Sequence, residues 1–349
     1  MRLGVLAGLL AASFAVGTAQ AAEHTLLPTP ATVNMGNFNA ANKPALTIAS
    51  GDFVNLESIT QITPEELDES GVLAPAAVPQ NVRDIFREVK DRGPGPHVLT
   101  GPIYVTGAEP GDVLEVRLLS IEVSADYGYN TQRPYSGLLP EDFTQVWQRV
   151  IPINRKTKTA EVAPGVIVPV DRPFFGTIGV APPERLGRIS SGPPGIHGGN
   201  FDNKDMGAGS TVYLPVHAKG GLLSAGDGHG AQGHGEIDVS AIETNLRSRM
   251  QIILRKDMEL VWPRAETPTH WIVMGLATDL DDALKLAARE TIKFITERFP
   301  TISREEAYMI ASVAVDYHVT QAVDRTIGIH GMIPKSIFAQ LEAKQAKKK

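Results

Sequence analysis

The sequence predicts a mainly β fold, β-sandwich or barrel-like and of the α+β kind, with helices at its C-terminal end. Between residues 45 and 276, short apolar segments are separated by Gly and Pro, and several of them alternate with a period of two. Beyond residue 278 the apolar residues recur with a helical period. Strands followed by helices are typical of α+β proteins. We therefore expect residues 45–349 to form one domain, β-rich over 45–276 and helical over 278–346.

The chain begins with the features of a secretory signal peptide. Arg2 supplies a positive charge, residues 4–16 carry no charge, and Ala19-Gln20-Ala21 has the small residues that signal peptidase requires. The apolar run is shorter than the roughly 20 residues of a membrane-spanning helix. We expect cleavage before Ala22, export to the periplasm or beyond, no membrane association of the mature chain, and an N-terminal extension over residues 22–44.

Composition excludes several classes of function. The chain has 33 Lys and Arg against 39 Asp and Glu, a net charge of −6, and no basic face, so nucleic acid is not an expected partner. It has no Cys, which excludes a disulfide framework and every hydrolase with a thiol nucleophile. A large hydrophobic core must therefore stabilise the fold.

The clearest strand signal contains its own irregularity. Leu114, Val116 and Leu118 alternate with charged residues, after which Leu119 and Ile121 continue the apolar pattern in the opposite phase. Such a phase change predicts a β-bulge near Leu118. Further strand candidates lie at residues 165–170, 176–181, 211–216, 251–262 and 270–276.

The C-terminal region carries helix signals. An apolar stripe from Leu280 to Phe299 follows a helical period, and Ser303 to Glu306 form a capping box that opens a second helix. Pro334 suits the first turn of a terminal helix. Pro64 is expected to open a short helix earlier in the chain.

Residues 192–235 have an unusual composition. They contain 13 glycines, where average usage predicts roughly three. Within this region, HGGNFDNKD at 197–205 and GDGHGAQGHGE at 226–236 concentrate His, Asp and Glu between glycines. A surface loop in which Asp and Asn form turns is the simpler interpretation of either segment alone. Two such segments in one short region favour a functional site.

The spacing of these residues suits a divalent metal ion. Asp227 and His229 stand two residues apart, so an extended chain directs both side chains to one face, about 7 Å apart. His197 and Asp202 come from the other segment, and a cavity between the two would present nitrogen and oxygen ligands together. Zinc is the first expectation for such a site, with calcium or magnesium as alternatives. No standard metal-binding signature is present.

A metal ion that lowers the pKa of bound water needs a proton acceptor beside it. Glu57, Glu236 and Glu243 are candidates for that general base. Lys204 or Asn200 are candidates for hydrogen bonding to a developing oxyanion. His97 follows a Gly-Pro-Gly-Pro turn, where a local loop hydrogen bond is the simpler expectation.

Serine catalysis is disfavoured. Ser190-Ser191-Gly192 lacks the flanking glycines of the amidase-signature enzymes, and no Gly-x-Ser-x-Gly nucleophile elbow occurs.

The chain resembles the acetamidase/formamidase family over roughly residues 51–338. The matching segments are GDFVNLE (51–57), LTGPIYVTGAEPGD (99–112), HGGNFD (197–202), GAGSTVYLPV (207–216), GDGHGAQGHGE (226–236), VTQAVD (319–324) and MIPKSIF (332–338). Many relatives have an acidic residue in place of His234, and most are not exported, which leaves the substrate open.

The resemblance implies a β-rich fold with C-terminal helices, homo-oligomeric assembly, and hydrolysis of formamide, acetamide or a close relative with a divalent metal ion in the pocket. By the same resemblance, His197, Asp202, Asp227 and His229 are the metal ligands, and Glu57, Glu236 and Glu243 are supporting carboxylates. Two alternatives remain: an exported binder of metal or small ligands that has kept the fold without amidase activity, and a hydrolase of esters or lactones.

Overall fold

Most of the chain is described by a computed structural model, over residues 21–74 and 77–347. The predicted signal peptide, apart from Ala21, lies outside the described residues. Strands account for 39% of the structure and helices for 19%, which confirms the mainly β prediction. No helix in the described ranges has the length and apolar character needed to cross a membrane.

Twenty strands are described in the two ranges. In chain order they are β1 (Glu23–Leu26), β2 (Val33–Met35), β3 (Asn37–Phe38), β4 (Leu46–Ile48), β5 (Phe53–Ser58), β6 (Val98–Val105), β7 (Val113–Gln132), β8 (Trp147–Asn154), β9 (Thr159–Ala163), β10 (Val166–Pro169), β11 (Phe174–Gly179), β12 (Ile189–Ser190), β13 (Gly198–Asn200), β14 (Thr211–Pro215), β15 (Leu223–His229), β16 (Glu243–Arg255), β17 (Arg264–Glu266), β18 (His270–Ala277), β19 (Asp316–Gln321) and β20 (Ile327–Pro334).

Five α-helices accompany them in the described residues: α1 (Pro64–Ser70), α2 (Gln80–Glu88), α3 (Leu280–Arg298), α4 (Arg304–Ala314) and α5 (Ala339–Ala346). A capping box opens each of α1 and α4. The side chains of Thr63 and Ser303 accept hydrogen bonds from the backbone N–H of the third residue of α1 and of α4, respectively. Pro334 ends β20 and precedes a 3-10 helix, Lys335–Phe338, rather than opening α5 directly.

The two longest strands, β7 and β16, are antiparallel neighbours at the centre of the sheet. Strand β16 also pairs with β5, and β7 also pairs with β14 and β8. Opposite Arg249 stands Ser120 and opposite Met250 stands Leu118, so Leu119 is the extra residue of a β-bulge. The phase change in the sequence is thereby explained, and the bulge is confirmed one residue from its predicted place.

Buried aliphatic side chains from the central strands form the main core, and they include Val54, Leu56, Val116, Leu214 and Ile252. A second core lies between α1, α2 and the sheet, and a third lies beneath α3 and α4. Together they supply the large core that a chain without disulfides requires.

Two regional predictions differ from the structure. Residues 22–44 are not a mere extension, because β1 pairs in parallel with β5 and β2 pairs with β6. The region 278–346 is not wholly helical, because β19 and β20 lie between α4 and α5. Strand β20 pairs with both β18 and β19, so its partners on either side stabilise it as a strand.

Candidate active site

Four adjacent strands bring one row of side chains together. In register across the sheet stand Tyr129 of β7, Glu243 of β16, His229 of β15 and Phe174 of β11. Asp227 lies two residues before His229 on β15, and its carboxylate oxygen Oδ2 is 3.5 Å from His229 Nε2. The alternation of a strand therefore places Asp227 and His229 on the same face.

The preceding Gly-rich segment joins this row through β13, which pairs with β11 so that Asn200 stands opposite Thr177. The Thr177 hydroxyl lies 2.5 Å from Asn200 Oδ1 and 3.2 Å from Asp227 Oδ2. Asp202 follows two residues later, and its Oδ1 lies 3.8 Å from His229 Nε2. The structure thus brings the two segments together in one site.

The ligand-type atoms converge on His229 Nε2. Glu243 Oε2 lies 3.2 Å from it, closer than the oxygens of Asp227 and Asp202. Glu236 belongs to a second group that shares His229, since ligand atoms of Asp202, His229 and Glu236 all lie within 4.8 Å of one another, as do those of Asp227, His229 and Glu243. Ligands about 2.1 Å from a tetrahedral zinc ion lie about 3.4 Å apart, so these separations suit one shared cation.

Three of these atoms lack hydrogen bonds although they are buried: His229 Nε2, Asp202 Oδ1 and Glu243 Oε2. An unsatisfied buried polar group costs about 1–3 kcal/mol, and more when it is charged. His229 shares one group of ligand atoms with Asp227 and Glu243 and another with Asp202 and Glu236, so a cation in either group would satisfy His229 Nε2 and one of the two carboxylate oxygens. The residues present therefore fit a divalent metal ion.

Hydrogen bonds around His229 orient its ring for this purpose. His229 Nδ1 lies 2.8 Å from Gln232 Oε1, which accepts a hydrogen bond and leaves Nε2 without a proton when the ring is neutral. Gln232 in turn donates through Nε2 to the backbone carbonyl of Asp202, 2.8 Å away. Gln232 thus links the two segments.

Gly176 leaves the space in which these groups meet. A Cβ atom at this position would lie 2.5 Å from Asp202 Oδ1, 2.6 Å from Asp227 Oδ2 and 2.8 Å from His229 Cε1. Real Cβ atoms essentially never approach non-bonded atoms closer than 3.0 Å. Only glycine at position 176 permits the arrangement.

The site holds an excess of carboxylates: Asp202, Asp227, Glu236 and Glu243 are buried, and Asp324 is half-buried. Burial raises the pKa of Asp202, Glu236 and Glu243, and neighbouring carboxylates raise those of Asp202 and Glu236 further. Burial likewise raises the pKa of Asp324 to about 6. Carboxylates that resist ionisation together are stabilised by a cation.

Asp227 and His229 each favour the charged form of the other. Burial opposes ionisation of Asp227, but His97 and His229 hold its pKa below the ordinary value. Burial also opposes protonation of His229, yet Glu243 and Asp227 raise its pKa well above the ordinary value. Negative charge therefore dominates around the His229 ring, as a cation site requires.

Three of the site carboxylates occupy left-handed backbone conformations, with φ of 50° at Asp202, 56° at Asp227 and 47° at Glu236. Such conformations are uncommon for residues other than glycine and cluster at functional sites. The strain is held in place by the surrounding sheet.

A cavity of about 490 Å³ opens onto these groups. Asp227, Glu236 and Glu243 form part of its wall, and Arg133 and Arg325 also line it. Its volume is that of a small-molecule pocket.

Three of the predicted site residues lie apart from this group. Glu57 is on β5, where it forms an ion pair with Arg247 at 2.8 Å and does not line the cavity. Lys204 lies towards a different cluster, where its charge lowers the pKa of His234 and His330. His197 is buried against the edge of Phe38 and is absent from the metal-type groups of the described residues.

Asn200 is within the site, but both hydrogens of its side-chain amide already form hydrogen bonds. Its Nδ2 donates to Asp202 Oδ2 at 2.6 Å and to Asp324 Oδ2 at 2.9 Å, which uses both amide hydrogens. Asn200 therefore positions carboxylates and has no hydrogen left for an oxyanion in this conformation.

Two members of the site carried little local signal in the sequence. His97 is buried, with Nε2 3.6 Å from Asp227 Oδ2 and Nδ1 3.0 Å from the Ser191 carbonyl. Asp324 reaches Asn200 from 124 residues away. In the sequence, only the Gly-Pro turn before His97 indicated that this residue could reach the site. Only the family-like segment 319–324 indicated a role for Asp324.

Comparisons with known proteins identify relatives of this chain. A sequence profile described as the Acetamidase/Formamidase family matches residues 88–191 and 187–340. An acetamidase structure from Bacillus halodurans is 31% identical, with a TM-score of 0.76 over 91% of this chain and 99% of that one. A predicted acetamidase/formamidase from Thermoanaerobacter tengcongensis is 28% identical, with a TM-score of 0.77 over 92% and 98%. The formamidase of Methylophilus methylotrophus is 27% identical, covering 65% of this chain and 73% of that protein.

Proposed function

The chain belongs to the acetamidase/formamidase family, and from this membership we infer that it is an amidase acting on linear amides. We propose that it cleaves the C–N bond of a short aliphatic amide, of the formamide or acetamide type, to a carboxylate and ammonia. We further propose that the reaction depends on a divalent metal ion, with zinc preferred because the ligands are imidazole and carboxylate.

One observation carries the proposal of metal dependence. His229 Nε2, Asp202 Oδ1 and Glu243 Oε2 are buried and lack hydrogen bonds, the two carboxylate oxygens lie 3.8 Å and 3.2 Å from the ring nitrogen, and Glu243 lines the cavity. Without a cation, these buried polar atoms would stay without partners in a region of low dielectric constant. Asp227, His229 and Glu243 are the residues that would hold the ion, and Asp202 belongs with Glu236 to the second group that shares His229.

A divalent ion at this position polarises an amide carbonyl and lowers the pKa of water, which an unactivated amide requires. Glu236 lines the cavity and is the general base that we assign: it accepts a proton as water attacks the carbonyl carbon and delivers one to the departing ammonia. Asn200 and Thr177 hold the carboxylates of Asp202 and Asp227 in place.

The amidase assignment predicts ammonia release from a panel of formamide, acetamide, propionamide and urea. Because Arg133 and Arg325 line the cavity, the panel should include amides that carry a distal carboxylate. Chelation is expected to stop release and zinc to restore it. His229→Ala is expected to lose the active-site metal ion and activity together, since removing one ligand destabilises the whole site. Ammonia assays and elemental analysis measure both effects.

His24→Ala is a matched control. His24 lies on β1, contacts Asp52 and does not line the cavity, so this variant should keep metal and activity. Bound metal with no ammonia from any amide would favour the alternative of a binding protein that kept the fold. Turnover of esters or lactones in preference to amides would favour the other alternative.

We also propose that the protein is exported and cleaved before Ala22. The backbone nitrogen of Ala22 donates to Asp52 Oδ1 at 2.8 Å, and Asp52 is buried. A new amino terminus at Ala22 would place its ammonium group on this carboxylate, a charge-assisted hydrogen bond. We expect intact-mass measurement of protein from the periplasm or medium to give a chain that begins at Ala22. A chain that keeps residues 1–21 in the cell would contradict this.

Assembly into a homo-oligomer remains a prediction of the family resemblance. Light scattering of the purified mature chain measures it directly. The small amide is the one partner that the site itself supports, since the wall of the cavity is polar and charged.

A further inference from the structure

A second cluster of metal-type side chains lies outside the candidate active site. It combines Asp205, which follows β13, with His234 of the loop between β15 and β16, His318 of β19 and His330 of β20. One ligand atom from each lies within 4.8 Å of all the others. Asp205 Oδ2 is 3.2 Å from His330 Nε2, 3.6 Å from His234 Nε2 and 3.9 Å from His318 Nδ1.

Hydrogen bonding does not account for this convergence. His330 Nε2 and Asp205 Oδ2 form a hydrogen bond at 3.2 Å. His318 Nδ1, however, is buried without a hydrogen-bond partner. The rings of His234 and His318 lie only 4.4 Å apart between centroids, tilted by 46°. Three imidazoles therefore face one carboxylate, and the geometry leaves at least one nitrogen unsatisfied.

We propose that Asp205, His234, His318 and His330 form a second metal site, which takes Zn²⁺ or a similar borderline cation. Three imidazole nitrogens and one carboxylate oxygen are a suitable tetrahedral set, and tetrahedral zinc ligands lie about 3.4 Å from one another. The distances from Asp205 Oδ2 bracket that value. The site would be closed by four protein ligands, which is typical of structural rather than catalytic zinc.

The surroundings of His330 support the assignment. His330 is fully buried, and its Nδ1 lies 2.7 Å from the Thr320 hydroxyl. Such a contact fixes the ring and leaves Nε2 directed at the cluster, as is usual for histidines that bind metal. The carboxylate of Asp205 offsets the positive charge of Lys204, which acts on the same histidines.

The position of the cluster defines what the ion would do. His234 lies two residues before Glu236, in the loop that also follows His229. Backbone hydrogen bonds already join Gly235 to Thr320 at 3.2 Å and Ala322 to Gly235 at 3.0 Å. A cation shared with His318 and His330 would fasten this loop to β19 and β20. The second ion would thus hold the segment that carries Glu236.

The test uses untagged full-length mature protein with the first site removed by His229→Ala, so that only the second site remains. Titration with Co²⁺ alone is expected to give one equivalent bound and the intense visible absorption of tetrahedral cobalt. Adding His318→Ala is expected to abolish that absorption and to lower affinity at least about 100-fold. Adding His24→Ala in place of His318→Ala is expected to leave it unchanged.

His234→Asn is a second variant for the case in which His318→Ala does not fold, and circular dichroism monitors folding of each protein. Absence of a tetrahedral cobalt spectrum in folded His229→Ala protein would overturn the proposal. Persistence of the spectrum in a folded His318→Ala or His234→Asn variant would overturn it equally. Ammonia release by the wild-type protein tests the amidase function separately, so failure of one proposal does not imply failure of the other.

Discussion

Gly176→Ala is expected to abolish metal binding at the active site and amide hydrolysis together, although it adds a single methyl group. Gly176 has no left-handed φ, so alanine can adopt its backbone conformation. The added Cβ would stand within 2.8 Å of Asp202, Asp227 and His229, and these side chains would have to separate. We expect metal affinity to fall about 100-fold or more, as when groups that orient metal ligands are lost. Metal titration and ammonia release measure the effect.

Gly207→Ala is the matched control for this substitution. Its Cβ would meet only the Pro173 carbonyl at an ordinary 3.5 Å, and Gly207 also has no left-handed φ. If Gly176→Ala bound metal and turned over amide as Gly207→Ala does, the convergence of the three side chains at this point would be disproved.

Glu236→Gln is expected to lower kcat by about 100-fold or more while the metal stays bound, because it removes a general base from the cavity wall. Glu243→Gln is expected to lower metal content instead. The Ala241 N–H fixes Glu243 Oε1 at 2.9 Å, and Oε2 faces His229 at 3.2 Å. Steady-state kinetics combined with elemental analysis separates the two effects. Loss of metal in Glu236→Gln, with metal kept in Glu243→Gln, would show that the two roles are exchanged.

Local patterns in the sequence were sufficient for much of the fold. The period of two and its phase change predicted β7 with its bulge, Pro64 predicted where α1 begins, and the capping box at Ser303 predicted where α4 begins. Pairing between distant segments was not predictable in this way. The partner of β1 is β5, and β20, which pairs with β19, joins the rest of the sheet through β18, which precedes α3 and α4. These strands were therefore assigned to an extension and to a helical region.

The same distinction applies to the candidate site. The His and Asp residues between glycines pointed to Asp202, Asp227, His229 and their neighbours because one short region contained them all. Asp324 and Gly176 had no such signal: one is brought in by the fold from far along the chain, and the other contributes only the absence of a side chain. A family-like motif suggested Glu57 as a site residue, but on β5 its side chain forms an ion pair with Arg247 instead.

The left-handed backbone at Asp202, Asp227 and Glu236 limits which substitutions can test the role of their charges. A left-handed conformation costs an ordinary residue about 1–2 kcal/mol, whereas Asn tolerates it far better. Alanine at 202 or 227 would therefore mix conformational penalty with loss of charge. Asparagine keeps the shape and the backbone preference of aspartate, so it isolates electrostatics. Glycine would remove the conformational penalty as well as the side chain. Comparing the asparagine and glycine variants at each position would therefore separate the effect of backbone conformation from the effect of charge.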